Sequence, residues 1–369
     1  MKNITYIFSG PRKDRYLKND VEAKEFYYGL FSFLKTKNNI NIIEFNKSKN
    51  LLGKFLGLVD KVMARIFSLP FYMSHVVNIN NYKIIKKTDH IFLINENVGC
   101  SVLPMLIFLS RNKKPKISMF VMGLYSKKQR IPIFRKIHYL IIKVLVSNVD
   151  HVLFLGKGEL NKAKSIHPKL QEKFIYFPFS VDTEFWRSKD KLDLEKNNKI
   201  IFVGNDGNRN ASLLIKIAEK LPKIDFIFVT KIKELQKINL PNVTVLSGSW
   251  GDQNITDTKL KSLYLESRLT IIPLKETSQP SGQSVALQSM SLGVPVIIST
   301  TEGFWDNEAF NDNIHIFLER ENIQDSWVKK IDTVFTDIDL LEKVAKNAQE
   351  NIDANFNLSN FNLRINKLM

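Results

Sequence analysis

The chain has 369 residues, 44% apolar and 25% charged, with 15 Gly and 12 Pro. That length predicts two domains, and the composition excludes disordered, collagen-like and mucin-like chains. The 54 Lys and Arg exceed the 37 Asp and Glu by 17, an imbalance that calls for an anionic partner.

In chain order, short apolar runs alternate with helical patterns, the mark of parallel α/β layers. The first half offers strands at 5–8, 41–45, 90–94, 117–121 and 152–155. The second offers strands at 200–203, 226–229, 243–246, 269–272 and 296–298. Each half thus supports its own doubly wound sheet. The polar stretch 187–199 has no apolar period and is expected as a linker. The predicted organisation is an N-terminal domain over 1–186, a C-terminal domain over 200–350, and a tail over 351–369 packing back on the first domain. The apolar start at Met1 is too short for a signal peptide. The longest apolar runs fall far short of the ~20 residues a spanning helix needs. Cys100, the single cysteine, can form no internal disulfide. This fits a reducing cytoplasmic compartment, and no Cys/His cluster has zinc spacing.

The positive charge belongs to one half. Residues 1–186 carry 31 basic and 13 acidic side chains, against 23 and 24 in residues 187–369. Over Leu51–Phe67 a helical period puts Leu52, Phe55, Leu56, Val59, Val62, Met63 and Ile66 on one face and Lys54, Lys61 and Arg65 opposite. A second patch interleaves Lys127, Lys128, Arg130, Arg135 and Lys136 with Ile131, Ile133, Phe134 and Ile137. At about 1 kcal/mol per cation near an anionic surface, such patches hold an enzyme on the inner leaflet. The plainer reading is a core helix with solvated lysines. No zinc-finger, RNP-like or helix-turn-helix signature accompanies the charge, so nucleic acid is not expected. In the same half Ser9, Gly10, Glu96 and Asn97 end predicted strands and are the candidate acceptor-side residues. Glu96 is the best-placed carboxylate there, or else simply an acid at a helix N-terminus.

The most informative stretch runs from Ser278 to Ile297. It follows a strand, turns through Ser281 and Gly282, opens a helix at Gln283 and Ser284, and passes Gly293 into another strand. Small residues at a helix start leave backbone N–H groups free for an anion. An ordinary start, with Ser281 as N-cap, is the alternative.

Met290, Gly293, Pro295, Val296 and Ile297 resemble the Ala-Met-x-x-Gly-x-Pro-Val-Ile signature of GT-B glycosyltransferases, family 4 in particular. Pro178-Phe179-Ser180-Val181-Asp182-Thr183-Glu184-Phe185 resembles that family's Pro-x-Gly-Val-Asp-x-x-x-Phe element. Phe202-Val203-Gly204 resembles the opening of its nucleotide domain, and Leu246-Ser247-Gly248 with 260–264 the stretch before its donor helix. The match spans roughly residues 150–305. The resemblance implies two Rossmann-like domains facing a central cleft. It also implies a nucleotide-diphosphate sugar as donor substrate, transfer with retention, and no obligatory metal or other cofactor.

The departures define the site expectations. The family's two glutamates are replaced by Pro280 and Gln288; the resemblance gives Gln288 the nucleotide ribose, without charge assistance. Glu276, nearby, is the candidate sugar-facing carboxylate and, with Glu96, the candidate catalytic acid; an exposed loop acid is the plainer and favoured reading of Glu276. Asn205 stands at the place of a diphosphate-binding arginine, and Arg209 one residue short of a lysine's. Arg209 and the amides around Ser281, Gly282, Gln283 and Ser284 are expected to hold the diphosphate, and Trp250 either to stack on the base or, equally, to sit at the rim of the core. The family's histidine near Met122-Gly123 is absent.

The expectation is therefore a glycosyltransferase, peripheral on the cytoplasmic face of the membrane, with a lipid-linked or cell-surface glycan as acceptor. Two rivals stay open: a GT-B nucleotide-sugar epimerase, and a non-catalytic membrane-associated partner subunit.

Overall fold

The computed structural model describes residues 1–34, 36–48, 50–109, 114–129, 131–188, 192–248 and 254–369. It divides into two units. One comprises Met1–Val21, Tyr27–Pro178 and Asn362–Met369; the other comprises Glu22–Phe26 and Phe179–Phe361.

The first unit holds a six-stranded sheet: β1 (Asn3–Phe8), β2 (Asn39–Glu44), β3 (His90–Leu93), β4 (Lys116–Val121), β5 (His151–Phe154) and β6 (Phe174–Tyr176). Their order is β2-β1-β3-β4-β5-β6, with every pair parallel. β1, β3, β4 and β5 are near-continuous apolar runs buried along their length, as a sheet covered by helices on both faces requires. The second unit holds β7 (Lys199–Val203), β8 (Asp225–Val229), β9 (Val243–Leu246), β10 (Leu269–Ile272), β11 (Val296–Ser299) and β12 (Phe317–Glu319). Here the order is β12-β11-β10-β7-β8-β9, again parallel. Each sheet has its own apolar core. The ten predicted strands are present within a few residues of their expected bounds. β6 and β12 are additional, each only three residues long.

The end of the chain is bound to the first unit. Lys2 Nζ donates to the Met369 carbonyl at 2.6 Å and Lys116 Nζ to that of Leu368 at 2.8 Å. Gly29, at φ +79°, lets Ile365 approach; a Cβ there would lie 3.0 Å from Ile365 Cγ2.

The helix Leu51–Phe67 departs from the plainer of its two sequence readings, that of a core helix. Asn50 caps it by accepting from Gly53 N at 2.8 Å. Its buried residues are Gly53 and Asp60, not the leucine-rich stripe. Asp60 accepts from Met73 N, Ser74 N and Ser74 Oγ at 2.7–3.0 Å and so fixes the following turn. A Cβ on Gly53 would lie 2.5 Å from the Ser48 carbonyl. This polar attachment turns the apolar side outward: Phe55 is 62% and Leu58 63% exposed, with Leu51, Leu52 and Val62 also exposed. The helix packs on Pro132–Ser147, where Gln129 Nε2 and His138 Nδ1 donate to the carbonyls of Ile66 and Phe67. That second helix exposes Ile133 at 75%, together with Ile137 and Leu140. Lys54, Lys61, Arg65, Lys128, Arg135 and Lys136 lie on or beside these two helices, all exposed. Arg130 lies outside the described residues. Among the described residues no helix is long and apolar enough to cross a membrane.

Candidate active site

In the second sheet the strand order reverses between β7 and β10. Their connections leave on opposite sides, which opens a crevice at the C-terminal ends of these two strands. Gly204 directly follows β7, and the turn after β10 leads through Gly282 into the helix Gln283–Ser291.

The two loops are laced together. Asn210 N donates to the Pro273 carbonyl at 2.9 Å and Lys275 N to that of Asn208 at 2.7 Å. Asn208 Nδ2 reaches Ser281 Oγ at 2.7 Å and Gln279 Oε1 at 3.1 Å. Arg209 pairs with Leu274 in an isolated bridge. Its guanidinium lies between two glycines. A Cβ on Gly204 would stand 2.0 Å from Arg209 Nε, and one on Gly282 3.1 Å from Arg209 Nη1.

Arg209 is 4% exposed. Nη2 lies 3.5 Å from Asp206 Oδ2, while Nε and Nη1 are buried with no partner. Burial lowers the guanidinium's pKa from its usual value, opposed by the nearby Asp206 carboxylate; an arginine still stays protonated. Gly282 occupies the N-cap at φ +81°, in place of Ser281, and no side chain caps the helix. A buried cation with free N–H groups beside a helix start that no side chain caps has the donors that an anion requires.

The other predicted residues fare differently. Asn205 is used by the neighbouring loops after β8 and β9, accepting from Lys231 N and donating to the Gly248 carbonyl at 2.9 Å. Ser281 and Gln283 are buried and Ser284 is half-buried. Gln288 is buried, and its Nε2 donates to Glu25 Oε1 at 2.9 Å. Glu276 is exposed, its Oε1 accepting from the amides of Thr277 and Glu302 at 3.1 and 2.9 Å. Trp250 lies outside the described residues.

Sequence reasoning missed Glu25, Tyr264 and Glu159. Glu25 lies far from Gln288 in sequence and carries no motif. Tyr264 was visible only as the end of the stretch, 260–264, that resembles the one before the family's donor helix. It is fully buried, its ring edge-on to Trp186.

In the first sheet the order reverses between β1 and β3, whose ends carry Ser9-Gly10 and Asn95-Glu96-Asn97. Asn95 Nδ2 donates to Ser9 Oγ at 3.1 Å, and Asn95 Oδ1 caps the helix Glu96–Ile107. Asn97 Oδ1 is buried without a partner. Glu96 accepts from Met122 N at 3.1 Å and pairs with Lys127 Nζ at 2.9 Å. Lys127 therefore serves Glu96 rather than standing free with the surface cations. Glu159 adds a second buried carboxyl, accepting from Tyr125 N at 2.8 Å. Burial, then the Glu96 charge, raises its pKa from 4.5 to about 8. Between those values the folded state holds a proton that the unfolded chain releases, so stability falls as pH rises through this window. From pH 5 to pH 8 the wild-type melting temperature should fall relative to that of Glu159→Gln. The slope common to both proteins belongs to other buried groups: Glu25, raised by burial to about 7, and Asp182, also raised by burial, lower stability as pH rises, while His90, His151, His167 and His315, lowered from 6.5 by burial, oppose them. Differential scanning fluorimetry across pH checks both. Among the described residues no group of three or more His, Cys, Asp or Glu side chains could hold a metal ion.

Residues 184–351 match the family model described as glycosyl transferases group 1. No curated protein sequence matches the chain. Among solved structures it resembles sucrose-phosphate synthase (tll1590) from Thermosynechococcus elongatus, with TM-score 0.70 and 13% identity over 100% of this chain and 98% of that one. It also resembles Anabaena Alr3699/HepE in complex with UDP, with TM-score 0.67 and 13% identity over 100% and 99%. The same Anabaena protein in complex with UDP-glucose gives TM-score 0.65 and 14% identity over 100% and 99%. At such identities the likeness is one of fold.

Proposed function

From a fold like that of GT-B glycosyltransferases and a match of residues 184–351 to the model described as glycosyl transferases group 1, we propose that this chain is a glycosyltransferase that moves a sugar from a nucleotide-diphosphate donor to a lipid-linked or cell-surface glycan. Transfer is with retention and takes place at the cytoplasmic face of the membrane. The observation that carries the donor half is Arg209: a buried guanidinium with two unpartnered nitrogens, seated between Gly204 and Gly282. Negative charge grows on the diphosphate as the glycosidic bond breaks. Fixed N–H donors from Arg209 and the first turn of Gln283–Ser291 stabilise that charge without having to reorganise. No metal is assigned a part in this reading.

The membrane half rests on the two packed helices of the first unit. Exposed Phe55, Leu58 and Ile133 enter the interface, while Lys54, Lys61, Arg65, Arg135 and Lys136 meet anionic headgroups. A groove of about 570 Å³ beside the first helix, lined by Lys54, Lys61, Phe71 and Tyr72 among others, offers room for a lipid-borne acceptor. The protein should float with vesicles containing anionic lipid and not with neutral ones, with binding weakened by salt. Phe55→Asp with Leu58→Asp should abolish flotation. Salt-insensitive absence of binding contradicts the assignment.

The likeness to a fold solved with UDP-glucose supports that sugar nucleotide as the first donor to test. Turnover of UDP- and GDP-sugars in the presence of membrane lipid extracts, with product anomers read by NMR, tests the reaction. An α-linked product from an α-donor supports retention. Interconversion of the donor sugar without acceptor supports the epimerase instead.

A further inference from the structure

The segment Glu22–Phe26 belongs to the second unit although it lies near the start of the chain. Several contacts fasten it there. Thr258 N and Oγ1 donate to Glu22 at 2.8 and 2.9 Å, and Lys24 N to Asp182 Oδ2 at 3.2 Å. The Phe26 ring meets that of Phe179 at 5.7 Å.

Glu25, at the centre of the segment, is 1% exposed. Both of its side-chain donors converge on one oxygen: Trp186 Nε1 and Gln288 Nε2 reach Oε1 at 2.7 and 2.9 Å. The other oxygen, Oε2, is buried and has no partner. Leaving a buried acceptor unmet is costly, and folded proteins rarely do so without a reason. The reason lies in what stands close by. Trp186, which donates to Glu25, packs edge-on against Tyr264, and the Tyr264 hydroxyl reaches the Val285 carbonyl in the first turn of the helix that begins beside Arg209, so one short chain of contacts joins the unmet acceptor to the two unmet donors of Arg209. Gln288, on the helix whose first turn adjoins Arg209, holds Glu25 in place. Unmet donors together with an unmet acceptor call for a ligand that is anionic at one end and carries hydroxyl groups a short way along.

We propose that Glu25 is a donor-binding residue: its Oε2 accepts a hydrogen bond from a hydroxyl of the bound sugar nucleotide while Arg209 holds the diphosphate. This rests on the donor-site reading given above. The hydroxyl belongs either to the ribose or to the transferred sugar. Either way the chain's beginning supplies a carboxylate to a site whose own helix offers only the neutral amide of Gln288.

Calorimetric titrations of wild type and Glu25→Gln with pyrophosphate, UDP, 2′,3′-dideoxy-UDP and UDP-glucose decide the matter. Pyrophosphate affinity should be the same in both proteins. If ribose is the partner, the variant should lose about tenfold for UDP and for UDP-glucose, and nothing for the dideoxy analogue. If the sugar is the partner, only UDP-glucose should weaken. A variant that matches wild type on every ligand, or weakens equally on all four, pyrophosphate included, overturns the proposal and leaves the donor site standing. A wild-type protein that binds pyrophosphate but no nucleotide, with GDP tried as well, overturns the donor reading and this proposal with it. Should Glu25→Gln fail to fold, Glu25→Asp keeps the charge but withdraws the oxygen by one methylene. It should show the same selective loss, and its absence again overturns the proposal.

Discussion

Arg209→Ala is expected to weaken nucleoside-diphosphate binding at least tenfold and to lower kcat/KM further still. One charge-assisted hydrogen bond is worth about 1.5–3 kcal/mol, and the guanidinium has two buried nitrogens free to make one. Its effect on the transition state is larger than on the ground state because charge on the leaving diphosphate increases during bond breaking. Fold stability should change little or improve, since truncation removes a buried charge whose one ion pair, with Asp206, spans 3.5 Å. Arg209→Lys should fall between the two. It retains the charge but lacks the planar fork that meets two phosphate oxygens. Titration calorimetry and melting curves on the same preparations separate lost binding from lost folding.

Gly204→Ala should cost nearly as much affinity without touching a single ligand-binding atom. The added Cβ would stand 2.0 Å from Arg209 Nε and 2.9 Å from its Cδ, so the guanidinium must leave its seat. Overpacking of this kind destabilises by roughly 1–3 kcal/mol. Gly207→Ala, three residues on, meets nothing within 4 Å and should be close to neutral in both respects. The pair is a controlled comparison within one loop. In an Arg209→Ala background the Gly204→Ala change should add little to the loss of binding, because both act through the same side chain. If the two losses instead add in full, Gly204 contributes by some route other than seating Arg209.

Much of this architecture could be read from the residues. β1, β7 and β10 are runs of largely β-branched and aromatic residues ended by Gly, Pro or a small polar residue, and buried parallel strands need that pattern. β6 and β12 were invisible because Phe174-Ile175-Tyr176 and Phe317-Leu318-Glu319 are too short to show a period. For the helix Leu51–Phe67 the plainer reading, a core helix, fails because much of its apolar side is exposed. Its buried attachment is made by a glycine and an aspartate, residue types that a hydrophobic pattern counts as solvent-facing. In the site, Arg209 and Gly282 were reachable through local motif spacing. Glu25 was not, since its bond to Gln288 joins positions 263 residues apart. Gln288 itself was expected to face a ribose, whereas its amide nitrogen is engaged by that carboxylate.

The most direct test of the central claim, that the unit built on β7–β12 binds a nucleotide diphosphate at Arg209, is calorimetric titration of the wild-type protein with UDP and GDP. Saturable binding of one of them below millimolar concentration, lost at least tenfold in Arg209→Ala, is the predicted result. Failure of both nucleotides to bind at millimolar concentration, or equal affinity in the variant, would contradict it.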